Sequence, residues 1–229
     1  MTRTTVPLLL ALDTSTRAVG LALFNGAQII HETSWLSHDH HTVELAPAVA
    51  DALSKSNLSS KDLGAIAVAI GPGSFTGLRI GLALAKGLAI VRHIPIVGIP
   101  TLDVLASGQT PSNLPMMAAL RAGRGRFAIG WYQLEKSKWM PTHEIEVLTP
   151  EMIIERIQSE TLLCGEFNRE EREYFVRQQP LVKLAPPSAC VRRPAILAEL
   201  GWKRWQEGKA DDPASLAPIY LHYNDSIPG

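Results

Sequence analysis

The residues best suited to chemistry in this chain lie in a glycine-rich segment that follows a short apolar run. Residues 71–77 read Gly-Pro-Gly-Ser-Phe-Thr-Gly and lead into a helical pattern of small residues. Glycines allow a ligand to approach the backbone, and the free N–H groups at a helix start favour an anion. The segment therefore predicts a loop that could receive a phosphate. Leu78 stands where the GxxxxGK[ST] pattern requires Lys, which argues against a Walker-type ATPase.

A second segment with the same potential chemistry follows the first apolar run of the chain. Asp13 ends the run at residues 8–12 and precedes Thr14, Ser15 and Thr16. The turn resembles the first phosphate loop of sugar kinases, in which an Asp orients metal or water, although ordinary turns use the same residue types. The candidate nucleotide-binding residues are Asp13, Thr14, Ser15, Gly71, Gly73 and Ser74.

An ATP-dependent small-molecule kinase or ATPase is one function that these loops suggest. Such an enzyme would also need a second phosphate loop of Asp-Gly-Gly type and a glycine-rich adenosine site. The second half of the chain opens instead with Leu114-Pro115-Met116-Met117. An independent kinase or ATPase is therefore the alternative, and we expect no cofactor to be bound tightly by the isolated chain.

Small residues form a stripe along the helix predicted after the glycine loop. Gly77, Gly81, Ala85 and Ala89 recur at every fourth position and so share one helix face. Such a stripe can pack inside its own domain, or it can let a partner helix come close. The second interpretation predicts a partner interface formed by Gly77, Leu78, Gly81, Leu82, Ala85 and Ala89, together with Leu45 and Val49 of the preceding helix.

Metal-binding and thiol chemistry have weaker signals. Residues 38–41 read His-Asp-His-His, but adjacent side chains point in different directions, so we expect a solvated helix start and no metal site. Cys164 and Cys190 are too few for a disulfide framework or a zinc quartet and suit a reducing compartment.

Composition limits the possible partners and locations. The 229 residues include 22 Lys plus Arg and 22 Asp plus Glu, so the formal net charge is zero. Contact with nucleic acid must then be local or made through a partner. The apolar runs are too short for a signal peptide or a membrane span, so a cytoplasmic protein without a membrane partner is expected.

The order of predicted elements indicates an α/β protein of two lobes, each built on a mixed β-sheet. Strands are expected at 8–13, 19–24, 28–33, 65–70, 95–99, 116–120, 127–133, 144–148, 161–164 and 181–184, and helices at 41–56, 78–89, 101–107, 150–159, 169–178 and 188–206. Turn residues at 108–115 mark a boundary. The predicted lobes are residues 1–108 and 109–229, with the last segment packing back on the first lobe.

Several of these segments together resemble one protein family. Residues 10–16, His41 with Glu44 and Pro47, and the long segment at 71–89 are similar to the TsaB family, also called YeaZ. The tail adds Asp212-Pro213 and residues 218–221, where His222 follows in place of the usual Arg.

The resemblance implies a fold of the actin and sugar-kinase type, ribonuclease-H-like in each half. It also implies a non-catalytic subunit that binds TsaD, the metal- and ATP-binding subunit that forms threonylcarbamoyladenosine next to the anticodon of ANN-decoding tRNAs. TsaE would join through the TsaB–TsaD complex, tRNA would be contacted through the complex, and the chain alone would form a homodimer. A nucleotide at the subunit interface is a further possibility, and TsaC would supply threonylcarbamoyl-adenylate.

One strand departs from the family pattern. Where TsaB-like chains often read Asp-Ala-Arg-Arg-Gly-Glu-Val-Tyr, this chain reads Arg-Ala-Gly-Arg-Gly-Arg-Phe-Ala at residues 121–128. Arg121, Arg124 and Arg126, with Arg192 and Arg193, could touch tRNA phosphates. An ordinary charged surface is the expected interpretation, given the zero net charge.

Overall fold

Two mixed sheets with flanking helices form the frame of the chain. A computed structural model describes residues 7–37 and 41–221, and for residue 41 the backbone only. It separates the chain into two compact units. Unit 1 holds the described residues up to Val104 together with Arg192–Pro218, and unit 2 holds Leu105–Val191 and the described residues after Pro218.

The described residues contain eleven strands and six α-helices. The strands are β1 Leu8–Asp13, β2 Ala18–Phe24, β3 Ile29–Leu36, β4 Leu63–Ala69, β5 Ile96–Ile99, β6 Met116–Gly123, β7 Arg126–Glu135, β8 Lys138–Pro141, β9 Glu146–Leu148, β10 Thr161–Gly165 and β11 Val182–Leu184. The helices are α1 His41–Lys55, α2 Phe75–Arg92, α3 Thr101–Ser107, α4 Pro150–Arg156, α5 Arg169–Gln178 and α6 Pro194–Gln206. None of these helices combines the length and apolar character needed to cross a membrane.

The two sheets have the same strand order. Unit 1 runs β3-β2-β1-β4-β5, with β1 antiparallel to β2 and parallel to β4. Unit 2 runs β8-β7-β6-β10-β11, with β6 antiparallel to β7 and parallel to β10, and β9 pairs with β7. An antiparallel three-strand segment followed by two parallel strands therefore occurs once in each unit, in agreement with the mixed β-sheet predicted for each lobe.

In unit 1 the sheet lies between two layers of helices, because β1 and β4 are apolar on both faces. Every residue of β1 is buried. Alternate residues of β1 contact α1 and α2 on one side of the sheet, where Leu10 and Leu12 join the same apolar cluster as Leu45 and Ala85. The intervening residues of β1 point to the other side of the sheet and contact α6 there. The loops at the carboxyl ends of β1 and β4 are thereby held by helices on both faces of the sheet.

The helix α6 completes unit 1 although it comes after all of unit 2 in the chain. A methyl group at Gly20 would overlap Pro194, and one at Gly201 would overlap Ala67, so the helix lies directly on the sheet. The Asp211 carboxylate then accepts the N–H of Gly98 at 2.7 Å on the edge strand β5. The predicted second lobe at 109–229 therefore needs correction, because residues 192–218 belong to unit 1.

The small-residue stripe of α2 faces the interior of unit 1. A methyl group at Gly77 would overlap the carbonyl oxygen of Thr14, and one at Gly81 would overlap the Thr14 hydroxyl. Ala85 is fully buried and Ala89 is 2% exposed. The remaining residues of the predicted interface, Leu78, Leu82, Leu45 and Val49, are buried as well. The prediction that this face is open to a partner is wrong, because the stripe lets α2 approach its own β1 loop.

A pair of glycine variants tests this packing. Gly81→Ala should lower the free energy of unfolding by about 1–3 kcal/mol, because its methyl group and the Thr14 hydroxyl need the same space. Gly87→Ala is the matched control on the exposed side of α2, where an added Cβ meets no atom within 4 Å. It should raise stability by about 0.5–1 kcal/mol through helix propensity. Urea unfolding followed by circular dichroism measures both, and equal effects would contradict the inward stripe.

Candidate functional site

The two predicted phosphate loops meet at the carboxyl ends of β1 and β4. The N–H of Ser74 donates to the carbonyl of Ser15 at 2.6 Å, and the Thr14 hydroxyl donates to the carbonyl of Gly77 at 2.7 Å. Gly73 also lies against Ser15 so closely that a side chain would overlap the Ser15 carbonyl. Sequence reasoning thus identified residues that the fold brings together, and their backbones hold each other in place.

Asp13 has a buried cationic partner in Arg192. The Arg192 Nε lies 2.8 Å from the Asp13 Oδ2, and the two side chains are 1% and 3% exposed, respectively. The other carboxylate oxygen accepts the N–H of Ser15 at 2.8 Å and the Ser15 hydroxyl. Both oxygens of Asp13 are therefore bonded within unit 1, and its negative charge is compensated by a residue of the same chain.

Arg192 ties the return segment of the chain to the turn after β1. Besides Asp13, its guanidinium donates to the Thr16 Oγ1 at 2.8 Å and to the carbonyl of Ala18 at 3.0 Å. The sequence offered no local signal for this role, because Arg192 is 179 positions away from Asp13. Arg192 is 5% exposed, so both sequence interpretations of this residue are wrong: it is neither part of a charged surface nor open to tRNA phosphates.

The glycine loop uses its polar groups within unit 1. Gly71 donates its N–H to the Thr101 Oγ1 at 3.0 Å, and its carbonyl accepts the N–H of Thr101 at 2.7 Å. Ser74 caps α2 by accepting the N–H of Gly77 at 3.2 Å. The exposed part of the loop is residues 74–76. The loop is thus built mainly as the junction of β4, α2 and α3.

The neighbouring Arg193 forms an ion pair with Glu32 on β3 that is more exposed than the Arg192 pair. Glu32 also accepts the N–H of Ala195 at 3.0 Å. Burial alone would raise the pKa of Glu32, but the hydrogen bonds from Arg193 and Ala195 outweigh it and hold that pKa below its usual value. Arg193 therefore anchors the start of α6 to the sheet.

No cluster of three or more metal-ligating side chains occurs among residues 7–37 and 42–221. The predicted solvated cluster at residues 38–41 is not described by the structure, apart from the backbone at 41. Cys164 and Cys190 are both buried, and burial together with the neighbouring Cys190 raises the pKa of the Cys164 thiol.

The outward sides of α1 and α2 form a surface rich in small and apolar residues next to the site loops. The two helices contact each other on one side of the sheet. We call the outer helix face the exposed residues Val43, Ala46, Pro47 and Ala50 of α1 and Arg79, Ala83, Gly87, Ile90 and Val91 of α2. Val43 is 69% exposed and Val91 is 75% exposed. Periodicity identified the two helices, but it did not tell which of their faces points outward.

A comparison of two adjacent arginines tests the buried ion pair. Arg192→Met should lower the free energy of unfolding by about 3–5 kcal/mol, because the Asp13 carboxylate stays buried without its cation. Arg193→Met removes a more exposed pair and should cost about 0–1 kcal/mol. The double variant Asp13→Asn with Arg192→Met should recover part of the loss in urea unfolding. Equal costs for the two single variants would contradict the structural role of Arg192.

Comparisons with known proteins agree with this architecture. A family model described as "TsaD: tRNA N6-adenosine threonylcarbamoyltransferase" matches residues 35–165, slightly more than half of the chain. The "tRNA threonylcarbamoyladenosine biosynthesis protein TsaB" of Escherichia coli K12 is 37% identical over 227 residues, which cover 94% of this chain and 95% of that protein.

Solved structures show the fold. "YeaZ from Pseudomonas aeruginosa" has a TM-score of 0.76 at 26% identity and covers 94% of this chain and 100% of its own. Component A of (R)-2-hydroxyglutaryl-CoA dehydratase from Acidaminococcus fermentans has a TM-score of 0.52 at 10% identity, with 86% and 98% coverage. The predicted two-lobed α/β fold of the actin and sugar-kinase type is confirmed. The chain belongs to the TsaB family and has a role in tRNA threonylcarbamoyladenosine biosynthesis.

Proposed function

We propose that this chain is a non-catalytic subunit that binds TsaD through the outer helix face and so supports threonylcarbamoyladenosine formation next to the anticodon of ANN-decoding tRNAs. The observation that carries the proposal is a contrast within unit 1. The loop that resembles a phosphate site is bonded internally around Asp13 and Arg192. The helices next to it expose small and apolar residues.

The geometry of Asp13 supports a structural rather than a catalytic function. A carboxylate that binds a metal or activates water needs an oxygen open to the ligand. Here the two oxygens accept hydrogen bonds from Arg192 and Ser15, and the side chain is 3% exposed. If Asp13 turned away from Arg192 to bind a nucleotide or its metal, the buried Arg192 charge would lose its partner.

The composition of the outer helix face supports helix packing against a partner. Ala83 and Gly87 are exposed on α2 with one turn between them, and Ala46 and Ala50 are exposed at the same spacing on α1. Small side chains let a partner backbone come close. Arg79 adds one charge, and its guanidinium lies 3.7 Å from the centre of the Phe75 ring. Exposed apolar surface of this kind is typical of interaction sites.

The outer helix face also determines the order in which we propose that the complex assembles. Without a partner, two copies of the chain pair through the outer helix face, and TsaD competes with this homodimer. TsaE and tRNA join through the TsaB–TsaD complex. The exposed residues 74–76 lie at the start of α2, beside the outer helix face, so a nucleotide at the subunit interface would meet this chain there.

The first test concerns catalysis by the isolated chain. We expect ATP hydrolysis at the background rate and less than a tenth of an equivalent of zinc or iron after dialysis, as measured by phosphate release and elemental analysis. Hydrolysis that co-elutes with the chain would support the alternative kinase or ATPase. Metal that is retained by the natural chain and lost in His38→Ala with His41→Ala would contradict the expected absence of a metal site.

The second test concerns the partner surface. Ala83→Arg places a long charged side chain on the outer helix face and should weaken TsaD binding at least tenfold, or by about 1.4 kcal/mol, in titration calorimetry. Threonylcarbamoyladenosine synthesis should fall in parallel, and the variant alone should be a monomer by light scattering. Val176→Arg on α5, where Val176 is 57% exposed, is the matched control and should bind normally.

Circular dichroism must show that both variants are folded. Native TsaD affinity for folded Ala83→Arg would exclude the outer helix face, and equal losses for Val176→Arg would show that the effect is not specific to this surface.

A further inference from the structure

We propose that the hairpin between β6 and β7 binds the phosphodiester backbone of the RNA substrate. This inference rests on the proposed function, because it takes the RNA to be presented to this chain in the complex. We call residues 121–126, Arg-Ala-Gly-Arg-Gly-Arg, the arginine hairpin. It lies in unit 2, away in sequence from the loops and helices described above.

The arginine hairpin concentrates positive charge in a chain whose net charge is zero. Three of its six residues are Arg and none is acidic. Arg121, Gly123, Arg124 and Gly125 are exposed, and Arg126 is half-buried. A local cluster of this kind can attract a polyanion that the chain as a whole does not.

The backbone at the tip of the hairpin is open and shaped as a tight left-handed turn. Gly123, Arg124 and Gly125 have φ angles of 78°, 50° and 69°. A Cβ at either glycine would meet no atom within 4 Å, so there is open space beside both glycines. Successive backbone N–H groups in turns form concavities that bind anions. The tip therefore combines a turn of this kind with the exposed Arg124 side chain.

The base of the hairpin is fixed by an ion pair with α5. The Arg121 guanidinium donates to the two carboxylate oxygens of Glu171 at 3.0 and 2.6 Å and lies 5.5 Å from the centre of the Phe127 ring. Glu171 is held in turn by the N–H of Asn168 at 2.8 Å in the cap of α5. Arg121 thus has a positioning role, and the exposed Arg124 at the tip is the principal phosphate-binding residue.

The chemistry of the hairpin fits RNA phosphates better than a protein surface. Protein interfaces use Arg together with aromatic residues such as Trp and Tyr as their main contacts, and residues 121–126 contain Arg without an aromatic or large apolar side chain. The planar guanidinium matches a phosphate with two parallel hydrogen bonds, and phosphate contacts require no base-specific groups. Such contacts position an RNA without reading its sequence, which suits a subunit that serves several tRNAs.

The test measures RNA binding by the complex of this chain with TsaD. The probe is a fluorescently labelled, unmodified transcript of an ANN-decoding tRNA, followed by anisotropy between 50 and 200 mM salt. Arg124→Glu should weaken binding about tenfold at the lowest salt and Arg124→Ala about threefold, and the slope of log K against log salt should fall by about 1. Arg177→Glu is the matched control, an exposed arginine of α5 in the same unit, and should change affinity less than twofold.

Each variant is also titrated with TsaD, so that the two proposals can fail separately. Unchanged RNA affinity for Arg124→Glu, or equal losses for Arg124→Glu and Arg177→Glu, would overturn the hairpin proposal. Loss of TsaD binding without loss of RNA binding would assign the hairpin to a protein partner and overturn it as well. If the natural chain does not bind TsaD, the proposed function fails, and the same Arg124 dependence must then appear with the isolated chain or the hairpin proposal falls too.

Discussion

The buried ion pair between Asp13 and Arg192 is the interaction on which the architecture of unit 1 depends. Both side chains are almost fully excluded from water, so each charge requires the other. The pair joins the end of the first strand to the segment that returns from unit 2 and starts α6. Since α6 then covers one face of the first sheet, unit 1 needs both the residues up to Val104 and the separate segment Arg192–Pro218.

The same constraint explains why a loop that resembles a phosphate site has a structural function here. Arg192 orients Asp13, Asp13 orients Ser15, and the Ser15 carbonyl accepts the N–H of Ser74 at the start of α2. Glycines at 77 and 81 let α2 lie against Thr14. The interior of the loop is therefore filled by the protein itself, and the partner surface that we propose is the outward side of α1 and α2.

Strands, helices and the existence of two lobes could be predicted because periodicity and turn residues are local signals. The strand at 138–141 was missed because its four residues, Lys-Trp-Met-Pro, lack alternation and end in proline. The helix expected from 188 begins at Pro194, since Pro187–Cys190 forms a 3-10 turn. The direction of the α2 stripe and the partner of Asp13 depend on tertiary contacts far apart in sequence, which spacing within one helix or one turn does not specify.

Hydrogen–deuterium exchange of the chain with and without TsaD tests the central claim, which is that this protein contributes a surface rather than a catalytic site. Slower exchange in α1 and α2 on binding, with residues 13–16 unchanged when Mg²⁺-ATP is added to the isolated chain, is the predicted result. Protection of residues 13–16 and 71–74 by Mg²⁺-ATP alone, without any change in α1 and α2 when TsaD is added, would contradict the account.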